Sequence, residues 1–136
     1  MALGEIIEEA KGVITGQRVL EIEGPKIETS QKLEGKFGGV AASDMGTYCT
    51  VMRGEEMYGE GQGVITAKDG QGMATWTGQG IGRFTGPGKI SFRGSVFYST
   101  RSHSGGKLSF LNNRVGIFEY EVDEQGNCSV KAWEWK

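Results

Sequence analysis

The chain has 136 residues, with 15 Lys and Arg against 17 Asp and Glu, so its formal net charge is −2. A charge this close to neutral gives no field that would collect nucleic acid or an anionic membrane, and we expect neither as a partner. One His and two Cys are too few for a His-rich metal site or a disulfide scaffold, so no metal and no cofactor are predicted.

A single domain over residues 1–136 fits this length, since no linker or low-complexity segment interrupts the sequence. Hydrophobic residues make up 37% of it, which is enough for a modest core. The N-terminus has no basic segment followed by a long apolar run, and no window approaches the roughly 18 apolar residues of a membrane span. With both cysteines interpreted as thiols of a reducing compartment, we predict a cytoplasmic protein.

Apolar and polar residues alternate with a period of two along nearly the whole chain, which predicts strands. The exception is Glu5–Lys11, where we predict one or two helical turns. Turn-forming sequences such as Gly24-Pro25 and Gly86-Pro87-Gly88 separate successive strands. The predicted strands occupy residues 13–23, 26–38, 46–53, 56–67, 72–84, 89–99, 107–122 and 128–136.

Consecutive hairpins of this kind form an antiparallel sheet in which each strand pairs with its neighbours in sequence. The fold class predicted is therefore all-β, an up-and-down antiparallel barrel of about eight strands with a short N-terminal helical turn. Closure into a barrel removes the open sheet edges, which would otherwise pair with other chains.

Glycines can be matched with large rings across two central hairpins, since a ring packs well over a strand that has no side chain. In the first hairpin we place Thr66 opposite Met73, and in the second Phe84 opposite Ile90. One face then collects the rings and nearly all the glycines, and the other is polar. We predict that the first face lies inside; it carries Trp76, Phe84, Ile90, Phe92, Val96 and Tyr98.

Continuing the alternation places Tyr98 opposite Leu108 and, in the last hairpin, Tyr120 opposite Val130. It also turns Arg114 inward, where a guanidinium needs an aromatic or anionic partner. The alternative is a bulge at Asn112-Asn113 that returns Arg114 to solvent. The predicted ligand-binding residues on this face are Trp76, Phe92, Tyr98, Asn112, Arg114, Phe118 and Tyr120.

The opposite face of the last strands is apolar, although it should face water. Monomers seldom leave such a patch exposed, so we predict a homo-oligomer with cyclic symmetry, a dimer or a trimer. The alternative is that the N-terminal segment around Leu3, Ile6 and Ile7 folds back over the patch. The patch comprises Val115, Ile117, Trp133 and Trp135, with Leu111 on the same face.

Catalytic motifs are sparse. Gly82–Lys89 and the Gly-x-Gly-x-Gly runs are followed by no helix, so they are typical of hairpins and not of phosphate loops. His103 stands in a polar turn without a partner. Glu60 is either a solvated residue that makes weak ion pairs with Arg83 and Arg93, or an acid in a polar-lined barrel.

The run Gly59–Gly63, the strand Trp76–Gly80, the segment Phe92–Ser95 and the sequence Phe118–Val122 together resemble small bacterial proteins of unknown function with an allene-oxide-cyclase-like (calycin-like) β-barrel. The resemblance covers residues 13–136. Allene oxide cyclases bind an oxidised fatty acid inside an eight-stranded barrel, cyclise it largely by steric control and form trimers. Their catalytic carboxylate has no assigned counterpart in this chain, so the resemblance transfers no cyclase activity.

The aromatic face predicts a barrel that binds a small apolar or amphipathic molecule. One alternative is an isomerase or cyclase acting on a lipid-like substrate, with Glu60 or a tyrosine as the acid or base. Another is a structural oligomer whose barrel is filled by its own side chains. No catalytic residue is assigned, and the sequence leaves open whether the protein is an enzyme.

Overall fold

Eight antiparallel strands close into a barrel in the computed structural model, which describes residues 3–100 and 104–136. Each strand pairs with its neighbours in sequence, and the first strand closes the ring against the last. This confirms the all-β, up-and-down antiparallel barrel. The strands are β1 (Leu3–Glu21), β2 (Lys26–Phe37), β3 (Val40–Arg53), β4 (Glu56–Ala67), β5 (Met73–Gly86), β6 (Lys89–Ser99), β7 (Val115–Val122) and β8 (Asn127–Trp135), and a 3-10 helix spans Gly106–Leu111.

The helical turns predicted over Glu5–Lys11 are wrong, because this segment belongs to β1 and is paired with both β2 and β8. A one- or two-turn helix is marginal by itself, since it makes few hydrogen bonds for the residues it orders. As part of the closing strand, the same segment is paired with β8 from Ile6 onward and with β2 from Glu8 onward. Tertiary pairing therefore outweighs the local preference.

A bulge in β1 changes which side chains face the interior. Ile6 lies opposite Trp133 and Glu8 lies opposite Ala132, so one extra residue of β1 is accommodated between them. Ile7 and Glu8 are consequently buried in succession. The bulge brings the carboxyl group of Glu8 into the barrel, from a segment that was predicted to form helical turns.

The predicted register of the central hairpins is confirmed. Thr66 pairs with Met73, and Phe84 pairs with Ile90. Glycine is required where the rings cross the neighbouring strand: a Cβ on Gly63 would lie 2.2 Å from Nε1 of Trp76. The close ring-to-backbone approach therefore fixes this part of the sheet.

The predicted strand 107–122 is wrong in its first half. Residues there form the 3-10 helix, and Asn113 has a φ of 62°, so regular extended pairing of this strand begins at Val115. The predicted pairing of Tyr98 with Leu108 is therefore wrong: Tyr98 donates its backbone N–H to the carbonyl of Arg114, and Phe92 lies opposite Tyr120. A helical turn advances the chain less per residue than a strand does, so the extrapolated register could not hold.

The 3-10 helix closes one end of the barrel. Leu108 and Leu111 are fully buried there, although Leu111 was predicted to lie outside. They belong to an apolar cluster with Phe37 and Ile65, which we call the plugged end. A second apolar cluster, the turn end, contains Leu33 and Met57 together with Phe92 and Tyr120.

In residues 3–100 and 104–136, no helix has the length and hydropathy needed to cross a membrane.

Candidate functional site

A cavity of about 80 Å³ lies inside the barrel, lined by side chains of both apolar clusters. It is larger than the roughly 10–15 Å³ that one water molecule requires, and smaller than the roughly 300 Å³ at which pockets for drug-sized ligands begin. Six aromatic side chains line it: Tyr48, Trp76, Phe92, Tyr98, Phe118 and Tyr120.

Bare backbone forms another part of the cavity wall, where glycines of β4 and β5 stand opposite one another. At Gly80, an added Cβ would lie 3.2 Å from Cζ of Phe118 and 2.7 Å from the carbonyl oxygen of Arg93. The missing side chains thus make room for the rings. The glycines in the middle of the sequence therefore allow aromatic rings to pack inside the barrel.

Two carboxyl groups, Glu8 from β1 and Asp44 from β3, meet in the cavity wall. Both side chains are buried, and they hydrogen-bond each other. The hydroxyl of Tyr98 donates to Oε1 of Glu8 at 2.9 Å. Nε1 of Trp76 donates to Oδ1 of Asp44 at 2.7 Å. We call Glu8 and Asp44 the acid pair.

Burial and proximity decide which member of the acid pair is ionised. Desolvation raises the pKa of Glu8 well above its usual value, and the charge of Asp44 raises it further. Desolvation also raises the pKa of Asp44, to about 6, while the hydrogen bonds from Trp76 and Glu8 oppose the increase. Their mutual hydrogen bond raises the pKa of Glu8 and lowers that of Asp44, so Glu8 is the donor, and Asp44 loses its proton before Glu8 does.

A second polar group lies in the cavity wall around Tyr120. Its hydroxyl donates to Oε1 of Gln31 and lies 3.2 Å from the hydroxyl of Tyr48. The Tyr48 ring meets Tyr120 and Phe92 edge-on, with centroid distances of 5.6 Å and 6.0 Å. Burial raises the pKa of both tyrosines, so these hydroxyls remain protonated and neutral.

The structure brings five of the seven predicted ligand-binding residues together in the cavity wall: Trp76, Phe92, Tyr98, Phe118 and Tyr120. The inward placement of Asn112 and Arg114 is wrong, since both are exposed. Arg114 donates through Nη1 to Glu134 at 2.8 Å and through Nε to the Phe110 carbonyl at 2.9 Å. Arg114 is exposed, as the alternative predicted. The cause is not a bulge in a strand but the preceding 3-10 helix and the positive φ of Asn113.

Glu60 faces outward, as one of the two predicted alternatives held. It accepts a hydrogen bond of 3.0 Å from Tyr58, and the nearby arginines pair elsewhere: Arg83 with Glu56 at 3.7 Å and Arg93 with Glu119 at 3.6 Å. Phe84, predicted to be inside, is 56% exposed because it lies close to the end of its strand. His103 lies outside the described residues.

The acid pair is the feature that the sequence interpretation missed. Asp44 does have a signal, because Ala42, Asp44, Gly46 and Tyr48 alternate as inward residues of β3. The predicted strand began at residue 46, so Asp44 was left out. Glu8 has no comparable signal, since its inward direction depends on the β1 bulge.

Among residues 3–100 and 104–136, no group of three His, Cys, Asp or Glu side chains could hold a metal ion. The acid pair offers two carboxyl groups, which can donate and accept hydrogen bonds and transfer a proton. Comparison with protein-family models, with curated proteins and with solved structures found no match to this chain. The function must therefore be argued from the site.

Proposed function

We propose that this protein binds a compact amphipathic molecule inside the barrel. The apolar body of the ligand lies against Trp76, Phe92 and Phe118, and its polar end meets the acid pair. The observation that carries the proposal is the combination of an aromatic cavity with two carboxyl groups in its wall. A barrel serving only as a scaffold would gain stability by filling this space with apolar side chains.

The cavity limits the size of this ligand. A dry protein cavity of roughly 150 Å³ accommodates benzene, and the present one is about half as large. Phe118 is only partly buried, and we propose that a ligand displaces its ring to enlarge the space. We infer a ligand with one ring or a short branched chain. The closed barrel is compatible with the allene-oxide-cyclase-like resemblance, but a whole oxidised fatty acid is too large for the cavity as it stands.

Fluorescence of Trp76 provides the test of binding. With Trp133→Phe and Trp135→Phe, Trp76 becomes the one remaining tryptophan of the three in the chain. We expect small aromatic compounds such as phenol, aniline and benzyl alcohol to change its emission saturably. Val96→Phe should reduce affinity at least tenfold, because Val96 lines the cavity and the larger ring occupies it.

The matched control for this test is Ile81→Phe, which enlarges a side chain that is 41% exposed on the outside. It should leave the titration unchanged. If no compound perturbs Trp76, or if both phenylalanine variants bind as the parent does, the barrel is not a binding protein.

Isomerisation inside the barrel is a second candidate function, and the acid pair favours it. A carboxylate with a pKa of about 6 beside a carboxyl that keeps its proton offers a base and an acid in one apolar site. In this proposal the acid pair replaces Glu60, which faces solvent. Deuterium exchange into a small ketone, compared between the wild type and Asp44→Asn, distinguishes catalysis from binding alone.

We also propose that a second copy of the chain covers the outer apolar patch. Ile117 and Ile6 flank Trp133 on its two sides, and Leu3 lies opposite Trp135. Leu3, Ile6 and Trp135 are 49%, 43% and 47% exposed, so the N-terminal strand extends the patch and does not cover it. The predicted intrachain cover is therefore wrong. An apolar face with two tryptophans suits an isologous contact with a second copy of itself.

Light scattering at micromolar concentration tests this assembly. The wild type should show the mass of a dimer or trimer, and Trp133→Lys with Trp135→Lys should yield a folded monomer. Phe84→Lys, an exposed change away from the patch, should leave the mass unaltered. A wild-type monomer would end the proposal.

Since Cys49 and Cys128 are both free thiols, the proposed compartment is the cytoplasm.

A further inference from the structure

We propose that the ligand of the barrel is a small amine in its ammonium form, with its nitrogen at the acid pair and its apolar body among the rings. This inference rests on the proposed binding function and adds the chemical class of the ligand. Three observations carry it: the sign of the buried charge, the acceptors that the pair offers, and the aromatic surroundings.

Among residues 3–100 and 104–136, the interior of the barrel holds acidic side chains and no buried Lys or Arg. The buried carboxyl groups there are those of Glu8 and Asp44. The Lys and Arg side chains that make ion pairs are all at least 41% exposed. A buried charge without a counter-ion is costly, so a cationic ligand would find an unneutralised partner in the barrel.

The acid pair can accept more hydrogen bonds than the protein supplies. Tyr98 donates to one oxygen of Glu8, whereas Asp44 accepts from both Trp76 and the carboxyl proton of Glu8. Each carboxylate oxygen has two lone pairs, so acceptor sites remain on both groups. An ammonium group carries three donors and no acceptor, which matches a wall of acceptors better than a hydroxyl does.

The aromatic surroundings favour the same charge. The rings of Trp76, Tyr98 and Phe118 line the cavity together with the acid pair. Aromatic faces attract cations, and the attraction is stronger in a desolvated site. The other titratable groups in this interior are Tyr48, Tyr98 and Tyr120 with Cys128 beside them, all neutral at pH 7 because burial raises the pKa of each. An anionic ligand would be repelled by the negative charge of Asp44.

Matched ligands of one shape test this proposal. Isothermal titration of the wild-type protein at pH 7.5 would compare benzylamine with benzyl alcohol and benzoate, and isobutylamine with isobutanol for a smaller body. We expect each amine to bind at least tenfold more tightly than its alcohol, and benzoate not to bind. The advantage of the amine should grow between pH 5 and pH 7, because Asp44, whose pKa is about 6, becomes charged over that range.

Isosteric variants show whether the acid pair causes the preference. Asp44→Asn and the double variant Glu8→Gln with Asp44→Asn should bind benzylamine no better than benzyl alcohol. Glu9→Gln removes an exposed carboxylate next to Glu8 in sequence and should keep the wild-type preference. Circular dichroism confirms that each variant is folded before titration.

Two results would overturn the inference in distinguishable ways. If the alcohols bind as tightly as the amines, or if Asp44→Asn keeps the preference for amines, the cavity is a binding site but not an amine site. If neither the amines nor the alcohols bind to the folded wild type, both this inference and the proposed binding function are wrong.

Discussion

Asp44→Asn is expected to stabilise the protein near pH 7, by up to about 3 kcal/mol, because it removes a buried charge. Burial raises the pKa of Asp44 from 3.8 to about 6. Between these two values the folded state binds more protons than the unfolded state. Stability is therefore greatest below the lower value and is lost as the pH rises through the upper one. The raised pKa of Glu8 extends this loss to higher pH.

Urea denaturation between pH 4 and pH 8 measures the effect. The free energy of unfolding of the wild type, minus that of Asp44→Asn, should become steadily more negative from pH 4 to pH 6. The amide oxygen of the introduced asparagine can still accept the hydrogen bond from Trp76, and its NH2 group can donate to Glu8 in place of the bond that Asp44 accepted. Glu9→Gln is the exposed control and should follow the wild type. Parallel curves for wild type and Asp44→Asn would show that Asp44 is not ionised in a dry site.

Phe37→Ala is expected to destabilise the protein by about 3–5 kcal/mol, because this ring is fully buried in the filled, plugged end of the barrel. Phe92→Ala should cost clearly less, although Phe92 is also buried. The Phe92 ring borders the cavity, so part of its surroundings is already empty and fewer contacts are lost. The pair of variants therefore compares a filled core with a binding site in one barrel.

Equilibrium unfolding in urea gives both values under one condition. Phe84→Ala serves as the surface control, since Phe84 is 56% exposed, and its effect should remain within about 0.5 kcal/mol. Equal losses for Phe37→Ala and Phe92→Ala would mean that the middle of the barrel is as well packed as its plugged end. The cavity would then have no role in binding.

The two predictions together describe a site that is kept at the expense of stability. An acid pair in an apolar interior and a void beside aromatic rings both lower the free energy of unfolding. Buried charges and voids are concentrated at binding and catalytic sites, because the ligand supplies the contacts that the empty site lacks. The acid pair and the cavity coincide in this barrel, which makes that position the natural target for ligand searches.

Local sequence was sufficient to determine the architecture and the centre of the sheet. Strand period and turn residues indicated an up-and-down barrel, and the pairing of Gly63 with Trp76 followed from it. These features are encoded by neighbours in sequence. In a hairpin the turn fixes the register, and a ring needs a glycine directly across from it. Five of the seven residues predicted to bind a ligand line the cavity for this reason.

Only the tertiary structure decided the acid pair and the plugged end. Glu8 faces inward because of a bulge in the strand that closes the barrel, and that bulge exists only when β1 meets β8. Leu108 and Leu111 form a helical turn because the open end of the barrel needs an apolar cover, which displaced Arg114 to the surface. Both outcomes depend on contacts between distant parts of the chain. The alternation of polar and apolar residues along the sequence does not predict those contacts.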